Sequence, residues 1–215
     1  MLSTEGDNNM EMDWKGNMAE LGGAFMLSWV IFGMGLGTLT GAVALAVAWM
    51  AFSGAHLLPV VTWCHIMTGD LADQDNWMSN GMRLVMQAIG ALLAIMLATE
   101  AGGLETGWAA TDMWLPDIAN NLWMVIGMIA AGAVWWQIHT RCNSEWASAF
   151  GLMALGGAMA LTGAHEMGES LASTGEGIVD TAVNWICNGL VVGLGALIGM
   201  KIDEMIPDGD DSSAE

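Results

Sequence analysis

One phrase occurs twice in this chain, Ser53-Gly54-Ala55-His56 and Thr162-Gly163-Ala164-His165, each after an apolar run and each before a segment too short to cross a membrane. Gly90-Ala91-Leu92 follows the first copy and Gly195-Ala196-Leu197 the second, again inside apolar stretches and at a similar separation. The pattern reads as two duplicated halves, each interrupted at a matching place. In membrane transport proteins such interruptions bring helix ends and irregular backbone to mid-membrane, where a permeation site is built. The competing explanation is chance recurrence of Gly-Ala in a chain holding 29 glycines.

Composition sets the class. With 54% hydrophobic and only 13% charged residues, the chain suits lipid better than water. It is expected to be a multi-pass integral protein of the cell or plasma membrane, in contact with membrane lipid. Its 215 residues allow about six spans. These are placed at 18–36, 38–52, 81–98, 121–140, 147–161 and 178–200. The first two are crowded, with a turn at Gly33-Met34-Gly35-Leu36-Gly37. The alternative there is one tilted helix, but a helix of that length would overrun a hydrocarbon core about 30 Å thick.

Orientation follows from the cations. Lys15 precedes the first span, Arg83 opens the third, Arg141 separates the fourth from the fifth and Lys201 ends the sixth. Six spans with both termini cytoplasmic put all four inside, as the positive-inside bias requires. The predicted organisation is an acidic tail at 1–17, a first membrane repeat at 18–101, an external loop at 102–119, a second repeat at 120–202 and an acidic tail at 203–215. The outer segment from Thr99 to Asn120 carries Glu100, Glu105, Asp112 and Asp117 and no Lys or Arg. The acidic N-terminus is unlike the basic start of a secretory signal, so the first span is expected to persist.

A net charge of −19 excludes nucleic acid as a partner, because a phosphate backbone needs a basic surface. The charge lies mostly in tails and loops and reads as solvated surface. Cys64, Cys142 and Cys187 are widely spaced and read as small buried residues. His65 and His139 stand alone in sequence, with no neighbour at metal-ligand spacing. No nucleophile and base pair, phosphate-cradling loop or cofactor motif is present, so neither an enzyme, a metal site nor a cofactor is expected. Gly33, Gly37 and Gly41, Gly189 and Gly193, and Gly195 and Gly199 fall four apart, a spacing that lets helix backbones approach closely. Trp14, Trp77, Trp108, Trp114, Trp123 and Trp146 fall near span ends and read as interfacial anchors.

The stretch Ser53-Gly54-Ala55-His56-Leu57-Leu58-Pro59-Val60-Val61-Thr62 resembles the first pore signature of the aquaporin and glycerol-facilitator family, Ser-Gly-(Gly/Ala)-His-x-Asn-Pro-Ala-Val-Thr. Ala19-Glu20 with Gly22 and Phe25 resembles the family's first-helix opening, Gln87-Ala88-Ile89-Gly90-Ala91 its third-helix pattern, and Thr162-Gly163-Ala164 the start of its second signature. The resemblance implies an all-α membrane protein with six transmembrane helices and two re-entrant half-helices in an inverted repeat, assembled as a homotetramer. It also implies passive passage of water or small neutral solutes.

The departures fall at the centre. Aligned on the repeats, Leu58-Pro59-Val60 replaces the first Asn-Pro-Ala and Met167-Gly168-Glu169 the second, with Ser170 at the place of the constriction Arg; a one-residue gap puts Glu169 there instead. The family's two Asn side chains donate to passing water beside the positive ends of the half-helices. Leu58 and Met167 offer no donor, and an apolar ring can dewet a pore. Glu166 and Glu169 near the second half-helix start weaken the positive field that excludes cations; alternatively they cap helix N–H groups or face the outer vestibule. His56 and His165 either line the pore or, as favoured, bond backbone. Leu155 and Ala164 are the candidate constriction residues by offset. Two further readings stand beside the channel: a non-conducting structural or interaction subunit of the same fold, and a cation or proton pathway through Glu166 or Glu169.

Overall fold

The computed structural model describes residues 13–34, 38–100, 103, 105, 113–156, 164–173 and 177–205. Most of both acidic tails, Gly37, Trp108, Asp112, Thr162 and Gly163, the surroundings of Gly33 and the side chains of Ala164 and His165 lie outside that description. Among the described residues there are eight α-helices: α1 (Trp14–Met34), α2 (Thr38–Ala51), α3 (Pro59–Thr68), α4 (Gln74–Glu100), α5 (Leu122–Cys142), α6 (Glu145–Ala154), α7 (Ala164–Ala172) and α8 (Ile178–Met205). A 3-10 turn at Leu115–Asp117 precedes α5. Three helices, α4, α5 and α8, are long and apolar enough to cross a membrane, and α2 contains a shorter apolar helix. The crowded region near the start holds two helices, α1 and α2.

Local chemistry sets the ends. Asp13 Oδ1 accepts from Gly16 N at 2.9 Å and Asp73 Oδ1 from Asp75 N at 3.0 Å, satisfying N–H groups that the first turns of α1 and α4 leave without a partner. Asn143, in the left-handed region at φ 43°, ends α5, and Ser144 caps α6 by accepting from Ala147 N. The connection between these helices is therefore only two residues long. α4 begins at Gln74, several residues before the expected 81, and Arg83 lies well inside it.

The two halves pack alike. α1 lies on α4 and α5 on α8; α3 touches α8 and α7 touches α4; α1 meets α2 and α5 meets α6; α2 and α6 face each other. Glycines set the closest approaches. A Cβ at Gly90 of α4 would overlap the carbonyl oxygen of Leu21 on α1, and one at Gly195 of α8 would overlap that of Ile129 on α5. Gly189 and Gly193 make room for Trp63 and Met67 of α3, and Gly199 lies against Ala133 of α5. At Gly189 and Gly193, and at Gly195 and Gly199, the four-residue spacing read from sequence marks helix contacts, while Gly37 lies outside the described residues.

One core cluster joins Leu27, Leu45, Leu57, Val61, Met128, Trp135, Leu152 and Val192, drawn from both halves. A second joins Trp63, Ile66, Leu84 and Trp185, with Met167 packed on it. Trp14, Trp77, Trp123 and Trp146 are exposed, as interfacial residues are. Trp114 is not among them. It donates from Nε1 to Asn188 Oδ1 at 2.9 Å, and its backbone N–H donates to Asn184 Oδ1 at 3.2 Å, which ties the connecting segment to α8.

Candidate functional site

The segment from Phe52 to Leu58 leads into α3 and carries the first signature. Gly54 takes φ 84° and Leu57 φ 65°. The left-handed conformation costs a leucine energy, so the surroundings must impose it. They do so from two sides. The Leu57 side chain is fully buried and fills a notch that exists because residue 23 is glycine. Its backbone N–H donates to Glu20 Oε2 at 2.8 Å, while that of His56 donates to Glu20 Oε1.

Glu20 is therefore a clamp. Its carboxylate is 0% exposed, and it also accepts from Arg83 at 2.9 Å and from Gln87 Nε2 at 2.7 Å. Arg83 donates in addition to Gly54 O at 2.9 Å, Trp49 Nε1 to His56 O at 3.1 Å, and Gln87 to Thr62 Oγ1 at 2.9 Å. A buried carboxylate with four charge-assisted or neutral donors is satisfied where an isolated one would be prohibitive. The result is an irregular segment in which the N–H groups of His56 and Leu57 and the carbonyls of Gly54 and His56 are all bonded.

α3 then starts abruptly. Leu58 is its N-cap residue, extended at φ −121° and ψ 137°, and Pro59 follows in the first turn with a φ already suited to helix. Leu58 is half-buried and packs on the principal core, whereas Pro59 and Val60 are buried. The second half differs. α7 begins at Ala164, so Met167 is its fourth residue rather than its cap, and Glu166 falls in the first turn. The physical reason is the missing proline. Met167-Gly168 has nothing to fix a start there, and the preceding Ala-His-Glu continues as helix. Met167 consequently packs on the cluster of Trp63, Ile66, Leu84 and Trp185, and a Cβ on Gly168 would sit 2.7 Å from the carbonyl carbon of Ala91 on α4. Glu166 and Glu169 are half-buried, and Ser170 is fully buried. Leu155 caps the C-terminal end of α6 and packs on the principal core.

The structure also gathers residues that stand far apart in sequence. The rings of His56 and His65 stack at 4.1 Å between centroids, His65 meets His139 edge-on at 5.7 Å, and His139 stacks on Trp135 at 4.9 Å. The isolation of His65 and His139 is thus a property of the sequence only. Among the described residues no group of three His, Cys, Asp or Glu is arranged to hold a metal ion, and the face-to-face His56–His65 stack cannot direct both ring nitrogens at one ion in the ring planes. His56 Nδ1 lies 3.2 Å from Thr62 Oγ1 and His139 Nδ1 3.0 Å from Ser148 Oγ.

The matching glycine contacts align the halves, pairing Leu21 with Ile129 and Gly90 with Gly195. In that register Glu20 corresponds to Met128, Gln87 to Val192 and Arg83 to Asn188. Met128 and Val192 are fully buried, so the ionic clamp of the first half has an apolar counterpart in the second. No protein-family model matches the chain, and no curated protein or solved structure matches it. The class that the fold defines is an all-helical protein with three helices capable of spanning a membrane.

Proposed function

We propose that this chain is an aquaporin-like membrane channel, with six spans and two half-helices in an inverted repeat, for passive passage of water or small neutral solutes. In this reading α1, α2, α4, α5, α6 and α8 span, α3 and α7 re-enter, both termini are cytoplasmic, and the protein assembles as a homotetramer. The observation that carries it is the pairing of short α3 with α8 and of short α7 with α4, at matching places in two halves that pack alike. The glycine contacts at Gly90 and Gly195 support the same repeat, and the start of α3 at Leu58, which makes no side-chain capping bond, supports a helix end poised at the permeation path.

A non-conducting subunit of the same fold is the second reading, favoured by the packing of Leu58 and Leu155 on the principal core. Osmotic shrinkage of proteoliposomes separates the two. Restoring a donor with Leu58→Asn is expected to raise water permeability several-fold, since Asn at the N-cap also bonds free helix N–H groups. An unchanged rate in that variant removes Leu58 from the path. Met167→Asn is expected to give no such gain, because Met167 packs on the second core cluster.

A further inference from the structure

Three of the four histidines of this chain form a continuous row that runs from one element to another. His56, on the approach to α3, stacks on His65 in the last turn of α3, with centroids 4.1 Å apart and ring planes within 5° of parallel. His65 meets His139 of α5 edge-on at 5.7 Å, and the row ends where His139 stacks on Trp135 at 4.9 Å. Trp136 lies against both His65 and His139, at 5.2 and 5.7 Å. α3 and α5 each pack chiefly on α8; the rings link them side to side.

Polar neighbours fix where a proton can enter. Thr62 Oγ1 donates its single hydrogen to Leu58 O at 3.3 Å and accepts from Gln87 Nε2 at 2.9 Å, so in its 3.2 Å contact with His56 Nδ1 the ring is the donor. A further proton therefore enters His56 at Nε2. All three histidines are half-buried rather than sealed in the core, which leaves them within reach of solvent protons.

No counter-charge is stationed along the row. Among the described residues the ion pairs are Arg83–Glu20, Arg141–Asp203 and Lys201–Glu204, and none includes an imidazole. Glu20 of α1 accepts from the His56 backbone N–H, not from its ring, and Arg83 of α4, which donates to Gly54 O, adds positive charge on that side. Arg141 at the end of α5 is engaged with Asp203 of α8. Glu145 at the start of α6 and Asp70 and Asp73 after α3 are exposed, and α2 carries no ionisable side chain.

Neutral stacked rings attract one another, whereas two imidazolium rings face to face repel when nothing negative lies between them. His139 differs from the other two. It lies on the face of Trp135, where a cation is attracted by the ring, and in the last turn of α5, where the free carbonyl ends favour positive charge. A proton there leaves the His56–His65 stack in place.

We propose that His56, His65 and His139 are an acid-released latch that ties the approach to α3 to α5. With the rings neutral, or with His139 alone charged, the row is closed; protons on His56 and His65 part the stack and free the approach to α3. The latch rests on the ring geometry and does not depend on conduction through the bundle.

The test uses the full chain in detergent micelles with labelled histidine and tryptophan rings, followed by NMR from about pH 8 to about pH 4, a range that spans the ordinary titration of imidazole. At the upper end, ring-to-ring cross-peaks are expected between His56 and His65 and between His65 and His139. On acidification the His139 ring takes its proton before the His56–His65 cross-peak disappears. That loss reverses on neutralisation, and the Trp135 indole N–H, which donates to Ser148 O at 3.0 Å, keeps its signal throughout. A His56–His65 cross-peak that is absent at the upper end, or that survives to the lower end, overturns the latch. So does a loss that comes only together with the Trp135 signal, which is unfolding of the bundle. His56→Phe and His65→Phe each keep a ring in the stack but remove one of its protonation sites, and either variant is expected to hold the contact at the acid end. Release in these variants at the pH where the parent chain releases would show that charge within the pair is not the cause and would overturn the proposal.

Discussion

Glu20 concentrates more of the structure's polar bonding than any signature residue. It holds two consecutive backbone N–H groups of an irregular segment and pairs with Arg83 and Gln87, all with no exposure of its own carboxylate. Removing one partner of such a pair strands the other, at a cost of about 3–5 kcal/mol. Glu20→Gln is therefore expected to destabilise strongly in thermal unfolding, and Arg83→Met to do the same. The double variant should lose markedly less than the sum, because neither charge is then left alone; strictly additive losses would disprove the clamp. Leu57→Ala should cost about 2–5 kcal/mol by the same assay, since its side chain fills the notch above Gly23. The sequence carried a signal for Glu20, a lone carboxylate inside an apolar run, which must be paired to be tolerated. Its partners were not legible, since Arg83 and Gln87 lie more than sixty residues away and nothing local links them to Glu20.

At the scale of the elements, the spacing of Gly189, Gly193, Gly195 and Gly199 was readable because close helix approach has a direct sequence cause. Gly90→Ala and Gly195→Ala each drive a methyl into a neighbouring carbonyl oxygen, so the α1–α4 and α5–α8 pairs must separate. Each should lose about 1–3 kcal/mol, and to a similar extent in the two halves. Gly81 of the same α4 has nothing within 4 Å of its would-be Cβ, and Gly81→Ala should instead stabilise by about 0.5–1 kcal/mol. Equal responses at Gly81 and Gly90 would argue against the packing explanation. Helix starts were legible only where chemistry fixes them. Pro59 announces α3, whereas nothing in Met167-Gly168-Glu169 marks a boundary, and α7 begins a turn earlier than the alignment of motifs suggests. The histidine and tryptophan cluster around His65 and His139 was invisible for another reason. It unites the approach to α3, α3 itself and α5, and only the folded arrangement brings them within reach.

For the whole molecule, a chain of contacts fixes which ends of the helices lie together. Glu20, two turns into α1, holds His56; His56 stacks on His65; His65 meets His139 in the last turn of α5; and Arg141, two residues on, pairs with Asp203 near the end of α8. The start of α1 and the end of α8 thus lie at one end of the bundle, with Arg83, Arg141 and Lys201 toward that same end. A chain that returns to the side it left crosses a bilayer an even number of times, as the six spans proposed above do. In the proposed topology that end is the cytoplasmic one, in keeping with the positive-inside bias. Epitopes fused to the two termini should accordingly be protected together, or cleaved together, when sealed inside-out and right-side-out vesicles are treated with protease. Cleavage of one terminus with protection of the other, in the same vesicles, would require an odd number of crossings and would overturn the membrane topology proposed for this chain.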